Sequence, residues 1–324
     1  MKKTLFLTIL YIVIDILFLA SQSQAADYGL SISPPLLRVH IKPGKSITQV
    51  FNIQNLSQTD LTLVANIVPF TESDSQGNPL INPKATAPWL NYFSLANSNI
   101  TLNQPFIVQA NATDQLVLSL SVPNTAPLKD LYATLTISTY QNMVEAETAG
   151  TQVSGTIGAN LLITISSQPF PDTNLRIVNF TPQNGSFFRI GDLYFADNLS
   201  PLSFSATVSN EGNFAAETKG IFRLTTNNRP VYLDGILPVN VIAKSKRQLV
   251  NTNGTDFEFQ PSLTQIGLHQ VSLEIKTDNS NTSGTIEIFF FPFKLCLGLV
   301  IALLLITLTI KISTQTPQKP LTTT

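Results

Sequence analysis

The chain is poor in the residues that carry most protein chemistry. Its 324 residues include one cysteine, two histidines and one tryptophan. A single cysteine excludes an intrachain disulfide and any thiolate zinc cluster. Two histidines leave little for metal ligation or acid–base work. Charge is scarce too: 12% of residues are charged, against about 25% in an ordinary soluble domain. The 19 basic and 20 acidic residues nearly cancel. Binding to nucleic acid draws on a surplus of Lys and Arg, so that partner is excluded, as is a disordered acidic or basic chain. Helical periodicity is almost missing between the two ends.

The ends read as membrane signals. Lys2 and Lys3 precede an apolar run over residues 5–20, and Ser23-Gln24-Ala25 supplies small residues at −3 and −1. This predicts a signal peptide over residues 1–25. Asp15 interrupts the run, and a mid-membrane carboxylate costs about 2.5–3.5 kcal/mol, which suits a transient signal better than a permanent helix. At the other end, residues 295–310 are apolar apart from Gly298, Thr307 and Thr309, and Phe289, Phe290, Phe291 and Phe293 lie just upstream. A bilayer core takes about 20 apolar residues, so a transmembrane helix is predicted over 289–311, with Lys294 snorkelling toward the headgroups. Lys311 and Lys319 then place the tail, 312–324, in the cytoplasm. The expected layout is a single-pass bacterial cell-membrane protein whose body is extracellular.

Between the ends, short alternating runs dominate, such as Ser46 onward into Phe51-Asn52-Ile53, Leu116-Val117-Leu118, and Leu202-Ser203-Phe204. Alternation of this kind marks strands with one buried face. Pro43-Gly44, Asn55-Leu56-Ser57, Gly77-Asn78 and Asn253-Gly254 break them as turns. Strands at this spacing without intervening helices predict an all-β chain. It would hold two tandem immunoglobulin-like β-sandwich domains, followed by one transmembrane helix. Pro169 and Pro171 stiffen a connector, giving domains at 26–168 and 172–288. Each half has an early strand ending at an Asn turn, Asn55 and Asn210, and a late strand opening on Tyr132 or His269. Tyr132 stands where a tyrosine corner packs.

Several of these motifs, in this order, resemble a known bacterial family. Ser33-Pro34-Pro35, then Pro43-Gly44-Lys45-Ser46, then a strand into Asn55-Leu56-Ser57 is similar to the opening of WxL-interacting cell-surface proteins. The turn from Asp74 to Asn78, the Trp89-Leu90 segment and the run from Pro123 through Pro127 to Tyr132 follow in similar order. Where that family has a Gly-rich turn before the tyrosine, this chain has Leu128-Lys129-Asp130. The resemblance implies a signal peptide, two immunoglobulin-like domains and a C-terminal membrane helix. It also implies a first domain associated with peptidoglycan and a second that binds a host surface. Pilus chaperones share the Pro-Gly and Asn-turn opening.

No nucleophile–base pair, phosphate loop or metal set emerges, so no enzyme and no cofactor are expected. His40 and His269 fall in strands of different domains, and Glu145 and Glu147 in a loop. The candidate binding residues are Glu72, Asp74 and Asn78, in a long polar stretch broken by Pro79, Pro83 and Pro88, together with Trp89 and Tyr92 at its end. Long loops in compact domains are frequently functional, and exposed aromatics stack on sugars. Lys244, Lys246 and Arg247 form a small basic run that either meets an anionic polymer or is a solvated hairpin end. The expected function is non-covalent binding of peptidoglycan, another cell-wall polymer or a second surface protein. The alternative is a chaperone-like assembly factor that holds an exported client through a sheet edge.

Overall fold

The computed structural model describes residues 29–140, 155–169, 171–185, 187–277 and 279–314. The signal peptide expected at 1–25, the pair Glu145 and Glu147, and Lys319 lie outside the described residues.

Alternating sequence becomes alternating burial. In β3 (Ser46–Asn55), Phe51 and Ile53 are buried while Val50 faces out. The first domain stacks two sheets. One has the order β1 (Leu30–Ser33), β3, β7 (Thr113–Ser121), β5 (Phe93–Leu95). The other runs β2 (Leu36–Ile41), β9 (Thr156–Ile165), β8 (Asp130–Thr139), β4 (Leu61–Pro69), β6 (Pro105–Val108). Pro34 and Pro35 break the first strand, since neither donates to a ladder. Before them the chain pairs antiparallel with β3, and after them it crosses to the second sheet and pairs parallel with β9. Phe51, Leu63, Leu116, Leu135 and Leu161 are among the buried residues between the sheets.

The second domain repeats the plan with its own core around Phe204, Phe222, Phe257 and Phe290. One sheet joins β10 (Leu175–Pro182), β13 (Leu202–Asn210) and β17 (Lys246–Leu249), with β18 (Phe257–Phe259) also on β13. The facing sheet has the order β11 (Phe187–Ile190), β12 (Leu193–Ala196), β20 (Asn281–Phe290), β19 (Gly267–Lys276), β14 (Ala216–Thr226), β15 (Arg229–Gly235). The short strand β16 (Val239–Val241) also pairs with β14. The chain is thus mostly β, in two β-sandwich domains.

An apolar helix, α1 (Phe293–Thr314), follows β20, and none of its residues is buried. At about 1.5 Å per residue its 22 residues match a bilayer core of about 30 Å. Its start differs from the position expected from sequence. Phe289 and Phe290 belong to β20, where they pair with Leu268 and Gly267, so the apolar run is divided between a strand and a helix at Pro292. Ladder partners on β19 hold the first two phenylalanines extended, and proline suits the start of a helix.

Candidate functional site

The two domains meet along a small apolar seam. Phe70, Tyr132 and Leu162 of the first domain pack with Ile242 of the second, with Ala215 against them. The seam exists because β8 is covered on both faces: Leu131, Ala133 and Leu135 point into the first core, and Tyr132 points out toward the second domain. Tyr132 stacks on Phe70 at 5.8 Å between ring centroids. Its hydroxyl donates to Asp130 Oδ2 at 2.5 Å and accepts from the Ala243 N–H at 3.0 Å. The same carboxylate oxygen accepts the Ala215 N–H. The tyrosine expected to pack within one sandwich therefore latches two together. Burial raises the Asp130 carboxyl above its ordinary range, against the opposing hydrogen bonds from Tyr132 and Ala215. Burial first, and the Asp130 charge second, push the Tyr132 phenol far up, so it remains a donor.

Two clefts flank the seam. The first is bordered by Arg38, His40 and Thr164 on one side and Glu217 and Thr277 on the other, with Pro169 and Pro171 at its end. Arg38 and Glu217 bridge it at 2.8 Å. The second lies between Leu36, Asn160 and Gly77 of the first domain and Asn240 and Arg247 of the second.

The predicted binding residues fall in separate places. Asp74 accepts backbone N–H bonds from Gln76 at 2.9 Å and Asn78 at 2.8 Å, and the Asn78 amide donates to its other oxygen at 2.9 Å. Those bonds, led by the Asn78 side chain, hold the Asp74 carboxyl below its usual value. Asp74 and Asn78 thus spend their polar atoms closing a turn. Glu72 is exposed, and its carbonyl accepts from Leu80. Trp89 and Tyr92, in a 3-10 turn at Pro88–Tyr92, rest half-buried on the first core, Trp89 edge-on to Phe93. They line neither cleft. The turn itself docks on the second domain: the Ser75 carbonyl accepts the Gln248 N–H at 2.8 Å, and the Arg247 guanidinium lies against Gly77.

The basic run is likewise dispersed. Arg247 donates to the Asn240 carbonyl at 2.8 Å, and burial lowers its guanidinium while the nearby Asp74 charge partly restores it. Lys244 bonds the Glu211 carbonyl. Of the two histidines, His40 is exposed beside the first cleft, and His269 is buried edge-on to Phe290. Among the described residues there is no group of three or more metal-ligating side chains.

One feature was not anticipated at any named residue. β2 pairs with β9 only from Asn160 to Ile165, beginning where the Asn160 N–H meets the Pro35 carbonyl. The first residues of β9, Thr156 to Ala159, continue beyond that point paired with β8 on one side, while on the other β1 passes nearby without pairing with them. The ladder fixes which groups face the open side. Thr139 donates to the Gly155 carbonyl and Ile165 to the Lys129 carbonyl, so odd-numbered residues bond β8. The N–H and C=O groups of Thr156 and Gly158 then point outward, and both residues are exposed. The sequence signal was the Ser33-Pro34-Pro35 break, which stops the neighbouring strand short.

No family model matches the chain, and no curated protein matches it. Solved structures that the chain is similar to include several chaperones and a PapD-like domain of human CEP192. The class 5 fimbriae chaperone CfaA matches over 80% of this chain and 99% of its own, at 11% identity and a TM-score of 0.37. The E. coli chaperone DraB matches over 80% and 97%, at 11% identity and 0.34. The Pseudomonas aeruginosa CupB2 chaperone matches over 78% and 97%, at 11% identity and 0.33.

Proposed function

We propose that this chain is an exported, membrane-anchored holding protein without enzymatic activity. It binds an extended segment of another exported protein along the open edge of β9. The observation that carries this reading is the four-residue stretch of β9 whose outward backbone groups have no described partner. An added strand gains main-chain hydrogen bonds there without a sequence motif, which agrees with the lack of any convergent side-chain site among the described residues. The seam joins the second domain to the same strand at Leu162, and α1 keeps the body at the outer face of the membrane with the tail inside. This layout is also that of the WxL-interacting proteins to which the sequence is similar. Capture of a wall polymer by the stretch from Glu72 to Tyr92 has less support, because its polar atoms close a turn and its aromatics lie on the core.

The test is co-purification of exported proteins with the detergent-solubilised full chain carrying Thr156→Pro or Thr156→Val. Proline deletes an outward N–H and leaves the β8 ladder intact, whereas valine keeps the backbone. Loss of the bound protein with proline only is the expected result. Equal recovery from both variants rejects the edge.

A further inference from the structure

The end of the second domain from which α1 leaves carries an unpartnered apolar face. Four residues in register cross the outer side of its larger sheet: Phe188 on β11, Phe195 on β12, Phe289 on β20 and Leu268 on β19. The Phe188 and Phe195 rings stack at 5.1 Å, and Phe195 meets Phe289 at 5.8 Å. Phe188 and Leu268 are 49% and 52% exposed. Further along the same face from the helix, the third row is polar: Thr285 opposite Ser272, and Ser272 opposite Arg223. Two loops at the apolar end add exposed Leu199, Leu263 and Ile266, and the Asn198 amide ties them by donating to the Ser262 carbonyl.

The helix is fixed to this face. Phe291 N–H donates to the Ala196 carbonyl at 3.0 Å, and Lys294 N–H to Asp197 Oδ1 at 3.3 Å. The Lys294 ammonium bonds the Ser200 hydroxyl at 2.6 Å, and the ring of Phe293, the first helical residue, lies 6.1 Å from that of Phe188. Two residues separate β20 from α1, so the sheet end stays within about one helical turn of wherever α1 enters lipid. An apolar rim facing water at that spot would cost free energy, whereas the headgroup–acyl boundary accepts such residues.

We infer that this face, centred on Phe188, Phe195, Phe289 and Leu268, rests in the outer boundary of the bilayer that α1 crosses. The membrane is then a second contact of the domain, which sets the tilt of the body and the direction in which the β9 edge faces. The inference rests on α1 spanning a membrane, as proposed above.

The test uses the full chain in phosphatidylcholine nanodiscs, with Cys296→Ser as background and single cysteines carrying an environment-sensitive fluorophore. Leu268→Cys and Ile266→Cys probe the face, Ser283→Cys the far end of β20, and Leu304→Cys the helix. Lipids brominated on their acyl chains should quench the probes at 268, 266 and 304 and leave 283 bright. Quenching at 304 without quenching at 268 and 266 overturns the inference and leaves the anchor standing. No quenching at 304 rejects the anchor and the inference together. Cross-linking between Leu268→Cys chains in place of quenching assigns the face to a second copy and overturns it equally.

Discussion

Asn55 and Asn210 do the same work in the two sandwiches. Each ends an early strand, each is fully buried, and each turns its amide onto carbonyls of the following loop and of a distant strand. Asn55 donates to Thr59 at 2.8 Å and to Val108 and Gln109 at 3.1 Å, and its oxygen accepts from the Ser57 N–H. Asn210 donates to Phe214 at 2.8 Å and Val241 at 3.0 Å and accepts from the Gly212 N–H. The matched bonding supports reading the domains as two copies of one plan.

Truncating either amide leaves one buried bond unmade, to the Val108 carbonyl in the first domain or the Val241 carbonyl in the second. Asn55→Ala should destabilise the first domain by about 2–3 kcal/mol, followed in urea by the fluorescence of Trp89, the single tryptophan. Asn210→Ala should cost the second domain a similar amount and leave the Trp89 transition in place. A shift below about 0.5 kcal/mol for either variant would show that the loop carbonyls find other partners.

Asp130 gives the latch a pH dependence of definite sign. Its folded value is raised by burial above the ordinary 3.8, so the protonated form is favoured by folding. That contribution is complete below about 3.8 and is lost as pH rises through the raised value. Asp130→Asn keeps an acceptor for Tyr132 and Ala215 and removes the titration. The variant should match or exceed the parent in stability at neutral pH and lose that advantage as the pH falls toward 4. Urea midpoints at several pH values measure it, and a difference that does not change with pH refutes it.

Gly77 is favoured by its backbone and lies against the end of the Arg247 side chain. A Cβ there would overlap the Arg247 guanidinium, and its φ of +82° is left-handed. Gly77→Ala should cost about 1–2 kcal/mol from the backbone alone and more from displacing the guanidinium. In an Arg247→Ala background only the backbone share should remain. Thermal melts of the four combinations form a double-mutant cycle, and strict additivity would mean that Gly77 and Arg247 do not interact.

Sequence by itself determined the strands and the class of fold, because alternation reports which side of a strand is buried. It also determined where turns close: Asn55, Asn210 and Asp74 bond residues within four positions of themselves, and such contacts depend on local chain alone. The apolar C-terminal run was legible for the same reason. Tertiary structure decided the rest, through partners far apart in the chain. Phe289 and Phe290 read as the start of a helix until Leu268 and Gly267 on β19 claim them for a ladder. Tyr132 reads as packing within one sandwich until Ala243, 111 residues on, donates to its hydroxyl. The open edge of β9 is a matter of register, set by where Pro35 halts the strand beside it. Periodicity records the faces of a strand and carries no information about what lies along its edge.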